Sequence, residues 1–106
     1  MASADRLRAA ADEFRAGRID VAEAHARAVL ELEPGHPGAL LQLGLIALTR
    51  GAPGEAEPLL RRAAAMTSIA AAPVAHADAL ERLGRHDECE AALRLALARD
   101  SSLAAA

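Results

Sequence analysis

Three glycines recur at near-constant spacing along this chain, and that spacing restricts the fold more than any other feature. Gly17-Arg18-Ile19-Asp20-Val21-Ala22 is echoed by Gly51-Ala52-Pro53-Gly54-Glu55-Ala56, and again by Gly84-Arg85-His86-Asp87-Glu88-Cys89. The glycines lie 34 and then 33 residues apart. Each follows one apolar pattern of helical period and precedes another. A period near 34 with two helices per unit marks a stacked solenoid. One such unit cannot bury its apolar faces alone, so the units stack and offer a surface rather than a chemical pocket.

The 106 residues hold one small domain or three such units. Hydrophobic residues make up 53% of the chain, yet only 1% is aromatic, and thirty residues are alanine. Alanine and leucine cost least to place in a helix, so the chain reads as all-α. Small side chains also require the helices to approach closely if no voids are to remain. Twelve arginines, no lysine and 15 acidic residues give a formal net charge of −3. The signs alternate along the helices, as on an ordinary solvated surface. No basic stripe serves nucleic acid, and there is no Trp or Tyr to stack on bases. No run of about 18 apolar residues can span a membrane. The N-terminus lacks the apolar core of a signal peptide. A single cysteine, Cys89, forms no internal disulfide. These features point to a cytoplasmic protein.

Six helices are expected. The first runs from about Ala4 to Ala16 with Ser3 as its cap, and the second from about Val21 to Glu33 with Asp20 as its cap. Pro34-Gly35-His36 stops the second helix, and Pro37 suits the first position of the third, which runs to Arg50. The fourth spans about Glu55 to Met66, with Pro58 in its first turn, where proline is tolerated. Pro73 opens the fifth, which runs to Leu83. Asp87 caps the sixth, from about Glu88 to Arg99.

The pattern resembles the tetratricopeptide repeat, whose signature runs W-x2-L-G-x2-Y, then A-x3-F, then P. The middle unit matches best, with Leu40-x2-Leu43-Gly44-x2-Ala47 followed by Ala56-x3-Leu60. The first keeps Ala22 and Pro34, with Ala26 where the bulky residue would stand, and the third has Cys89-x3-Leu93 and then Ala96. Leu or Ala replaces the aromatic positions of the family, and Arg6 stands where the first Trp would be. The phrase Ala28-Val29-Leu30-Glu31-Leu32-Glu33-Pro34 adds to the likeness. The resemblance implies a right-handed solenoid of three helical hairpins over residues 1–106, with repeats at about 3–36, 37–69 and 70–103.

It also implies a concave groove lined by the first helix of each repeat, where extended peptides or helices lie. Helix three is apolar nearly all round, so it is either buried on every side or covered by a partner. Its second stripe is Leu41, Leu45 and Leu48. The equivalent face of helix one carries Leu7, Ala11 and Phe14, with Arg8 and Arg15 beside them. On helix five it carries Val74, Asp78 and Glu81, with Arg82 beside them. The groove is expected to be apolar across two repeats and acidic in the third. Some members of the family clamp peptide carboxylates with Lys, Asn and Arg on this face. The corresponding places are Leu7, Ala11, Gln42, Ala71 and Ala75, which lack the charge for that task. An apolar peptide or an amphipathic helix fits better.

Catalysis and metal binding find little support. Cys89 fills the small slot held by Ala22 and Ala56, where a buried thiol acts as a small hydrophobe. His76, Asp78, His86 and Cys89 have metal-capable side chains, but no second Cys or His lies at ligand spacing. Gly51-Ala52-Pro53-Gly54 lacks the Lys and Ser/Thr of a phosphate loop. The expected function is a non-enzymatic protein-interaction module without cofactor. Two alternatives stand beside it. One is a self-associating segment that pairs through an uncapped helix six; the other is the docking or regulatory part of a larger bacterial enzyme. Ser101-Ser102-Leu103-Ala104-Ala105-Ala106 reads as the start of a further repeat rather than as a capping helix.

Overall fold

In a computed structural model, which describes residues 2–100, six helices occupy nearly the whole chain. They are α1 (Ser3–Arg15), α2 (Ile19–Leu32), α3 (Pro37–Thr49), α4 (Pro53–Met66), α5 (Ala71–Arg82) and α6 (His86–Arg99). No strand is found among the described residues. Helices α1 and α2, α3 and α4, and α5 and α6 form three hairpins. The second helix of a hairpin also packs on the first helix of the next, α2 on α3 and α4 on α5. The first helices touch in a row, α1 with α3 and α3 with α5. The result is an all-α repeat solenoid, 38 Å along its longest axis. The six-residue tail that reads as the start of a further repeat lies outside the described residues.

The three turn glycines end the first helices in the same way. Gly17, Gly51 and Gly84 adopt φ of +83°, +75° and +76°, the left-handed region that side chains disfavour. In each turn the glycine N–H and the next residue's N–H return to carbonyls of the last helical turn. Gly17 donates to Phe14 and Arg18 to Glu13, at 3.0 and 2.8 Å. The pairs Gly51–Leu48 and Ala52–Ala47, then Gly84–Glu81 and Arg85–Leu80, repeat the arrangement at 2.9–3.0 Å. These are Schellman closures, which satisfy carbonyls that a helix end leaves free.

The helix starts differ from the sequence expectation. Ser3 lies inside α1, and its hydroxyl donates to the Glu33 carboxylate at the end of α2. Asp20 and Asp87 sit one residue inside their helices, whose caps are Arg18 and Arg85. Neither cap bonds through its side chain. The acids still favour the helix dipole from the first turn. His36 is the side-chain cap, its Nδ1 accepting from the N–H groups of Gly38 and Ala39 at 3.1 and 3.4 Å, with Pro37 opening α3. Helix α4 begins at Pro53, two residues early, so Pro58 falls in its second turn and forfeits one backbone bond.

The core is built from small side chains. Ala22, Ala26, Ala56, Ala63, Ala72 and Ala79 are all fully buried. Leu40, Ile46, Leu60 and Leu80 supply most of the bulk. Gly44 marks the closest approach. A Cβ there would lie far inside van der Waals contact of the Leu60 side chain, which is itself fully buried. Ala56 packs in the same cluster with Ala47, Leu48, Leu60, Ala75 and Ala79.

Ala56→Leu should lower the unfolding free energy by about 1–3 kcal/mol through overpacking, with Tm falling by several degrees. Gly54→Ala is its opposite. Gly54 is helical, with nothing within 4 Å of an added Cβ, so stability should rise by about 0.4–1 kcal/mol. Thermal melts of both variants check the packing; an unchanged Tm for Ala56→Leu would contradict it.

Candidate functional site

Seven of the thirteen residues of α3 are buried within the chain. The rest of its apolar surface turns towards α5. A concavity of about 520 Å³ opens between the two helices. Leu45 and Leu48 form one wall, and Ala70, Ala71, Val74 and Ala75 form the other. Asp78 and Asp100 also line it. Two carboxylates thus stand at the edge of an apolar trough. Asp78 is tethered by Arg82, whose Nε donates to Oδ1 at 3.0 Å. Arg82 also donates to the Leu48 carbonyl at 3.0 Å, which ties α5 to the end of α3.

Leu45, Leu48, Val74 and Asp78, four of the expected groove residues, are therefore gathered here. The others lie elsewhere. Leu7 is half-buried and its Cδ1 faces Gly38 at the start of α3, where a side chain would leave it no room. Arg8 is exposed on α1. Phe14 does not line this concavity: it packs against the cluster of Ala22, Ala26, Leu43 and Ile46 between the first two hairpins. Leu48, 34 residues on, sits equivalently and is only 6% exposed, so it contributes mostly core. Leu41 packs against the clusters around Leu40 and Leu60. Gln42 is half-buried, and its Oε1 is buried without a partner among the described residues. Glu81 is exposed and does not line the concavity. The trough thus belongs to the second and third repeats, not the first. Asp100 was missed by sequence reasoning, because only folding brings the end of α6 beside α5.

A smaller cleft of about 160 Å³ lies between α2, α3 and α4, with Glu23, Arg27 and Arg50 among its lining. Three of its charged residues, Glu23, Arg27 and Arg50, already pair with each other. Arg50 Nη1 donates to Glu23 at 2.8 Å and Arg27 Nη2 at 2.7 Å. A second Arg50 nitrogen reaches Asp20 at 2.5 Å. The Arg50 hydrogen bond, and next that from Arg27, hold the Glu23 carboxyl below its ordinary value. Arg18 does the same for Glu13, and Arg85 for Glu88. At the next junction Glu57 is buried. Its Oε2 lies 2.7 Å from His76 Nε2, and its Oε1 lies 3.3 Å from Arg61 and 3.4 Å from Arg85. Among the described residues no group of three or more His, Cys, Asp or Glu is placed to hold a metal ion. No helix there is long and apolar enough to cross a membrane.

Stacked antiparallel hairpins with an open trough along their first helices define a helical-repeat scaffold. Family models described as tetratricopeptide repeat match residues 13–68 and 74–103, and the chain belongs to the tetratricopeptide repeat family. Such repeats generally mediate protein–protein interactions and are generally not catalytic. No curated protein matches the chain in sequence. Among solved structures it is similar to a mutant O-GlcNAc transferase of Thermobaculum terrenum, at 27% identity and a TM-score of 0.85. That match covers 95% of this chain and 20% of the transferase, so the chain spans about a fifth of its length.

Depressed carboxyl values link stability to pH. Stability from such a group is complete above the ordinary value of 4.5 and is lost as pH falls towards the lowered folded value. The unfolding free energy should therefore drop in acid. Arg50→Ala should be less stable than the parent at neutral pH, and the gap should narrow once Glu23 is protonated. Denaturant titrations of both proteins on either side of that range check this; an equal gap would show that Arg50 does not act through Glu23.

Proposed function

We propose that the chain is a non-enzymatic interaction module whose trough between α3 and α5 takes an apolar peptide or an amphipathic helix. One observation carries the reading: an apolar concavity of about 520 Å³ walled by Leu45, Ala71 and Val74, with Asp78 and Asp100 at its rim. A volume in the range of small binding sites receives two or three apolar side chains. Anchors at i, i+3 or i+4 on a helix match such a strip. The three repeats, at about 3–36, 37–69 and 70–103, act as one unit. A cytoplasmic location fits the free thiol of Cys89.

A second reading is favoured by the likeness to part of the O-GlcNAc transferase: a docking segment within a larger enzyme. The trough then holds the substrate protein or a regulator rather than an independent partner.

A peptide library selected against the chain should yield sequences with apolar anchors three or four residues apart. Ala71→Glu places a charge at an exposed position of the wall, so the fold should persist. Affinity for selected peptides should fall about tenfold or more, with Tm and solution mass unchanged. Leu45→Glu should act in the same direction. Retained affinity in Ala71→Glu would place the binding site outside the trough.

A further inference from the structure

The walls of the trough belong to α3 and α5, and one side chain bonds to a residue of each. Arg82 Nη1 donates to the Leu48 carbonyl at 3.0 Å, while its Nε and Nη2 donate to Asp78 at 3.0 and 3.3 Å. Leu48 lines the trough from α3, and Asp78 lines it from α5. Each end of this strap is itself held. The Leu48 carbonyl also accepts the Gly51 N–H at 3.0 Å, so the glycine turn sets its direction. The Asp78 carboxylate grips one edge of a planar guanidinium, and a fork held in that way aims its remaining donor. An ordinary pair four residues apart, such as Arg94 and Glu90 at 2.5 Å, stays on one helix.

The preceding junction is built without a strap. Counted from the turn glycines, Arg82 stands where α3 has Thr49, and Leu48 stands where α1 has Phe14. Thr49 donates to the Leu45 carbonyl of its own helix at 3.0 Å. The Phe14 carbonyl is left to the N–H of Gly17. No residue of α1 lines the trough. Apolar packing does not do the work of Arg82 either. Ala75 and Ala79 meet Leu48 and Leu60 in one cluster. Such burial is non-directional, so it holds α5 against its neighbours without fixing its angle to α3.

We infer that Arg82 is a positioning residue that sets the orientation of α5 on α3, and through it the shape of the trough. Asp78 acts by orienting Arg82. The consequence for binding rests on the trough being the binding site. A peptide or helix then meets walls already in their working arrangement. Without the strap only a fraction of molecules has the walls so placed, and apparent affinity falls by that fraction.

Residual dipolar couplings of the backbone N–H groups read helix orientation with neither label nor ligand. In the parent chain those of α3, α4 and α5 should fit one alignment. Arg82→Met keeps the apolar stem and removes every donor, and the side chain it replaces is 46% exposed, so the fold should persist. Its α5 should stay helical by chemical shift, yet the α5 couplings should lose their fit to the alignment of α3 and α4. Asp78→Ala should cause the same loss. Arg94→Met breaks a pair confined to α6 and should leave the fit intact. Peptides selected on the parent chain should bind Arg82→Met about threefold more weakly at a temperature where both proteins are fully folded. Couplings that still fit one alignment in either Arg82→Met or Asp78→Ala overturn the inference. A lost fit with unchanged peptide affinity upholds the strap and removes the trough as the binding site.

Discussion

Gly44 and Leu60 set the distance at which α3 and α4 meet, and the rest of the solenoid follows from that distance. With no side chain at Gly44, the leucine lies directly on the backbone of the facing helix. Buried alanines do the same at the other contacts, Ala22 and Ala26 against α3, Ala72 and Ala79 against α4. Dispersion then comes from backbone and methyl groups in close contact rather than from large side chains. Each such residue removes little apolar area from water, so no single hairpin gathers much stabilisation. Close spacing and stacking are therefore two sides of one constraint. The helices must lie near each other because the residues are small, and hairpins must add up because each one buries little.

The polar layer obeys the same repeat. Glu23 and Glu57 occupy equivalent positions, and each receives a cation from the following hairpin. The basic partners come from different places: the end of α3 for Glu23, and for Glu57 His76 in the middle of α5 and Arg85 in the turn after it. The same contact is thus made by non-equivalent residues in the two repeats. These carboxylates orient one hairpin on the next in a way that methyl groups, which have no direction, do not. Across the concave side Arg82 joins the Leu48 carbonyl to Asp78, so the floor of the trough and a carboxylate at its edge share one tether.

How much of this was legible in the sequence depends on whether the signal is local. The glycine turns and the proline start of α3 were readable because φ restrictions belong to single residues. Ser3, Asp20 and Asp87 were misplaced as caps because their preference is shared with first-turn positions, and only the backbone path decides. His36 carried the weaker signal and made the bond. The trough was half legible. Periodicity put Leu45, Val74 and Asp78 on one face, and they do converge. It also put Phe14 there, since periodicity names a face without saying whether the next helix covers it. Phe14 and Leu48 both lie where the following hairpin arrives. Asp100 left no trace, because its proximity to α5 is created by the return of α6.

Contacts run only between neighbouring hairpins: among the described helices, neither α1 nor α2 packs on α5 or α6. Few contacts therefore join residues distant in sequence, and the chain need not close long loops before it gains stabilising contacts. Such a topology belongs with fast folders, on the microsecond to millisecond scale. It also spreads protection unevenly. Amide hydrogens in α3 and α4, gripped from both sides, exchange only in the larger openings, while those of α6 are released by opening one interface.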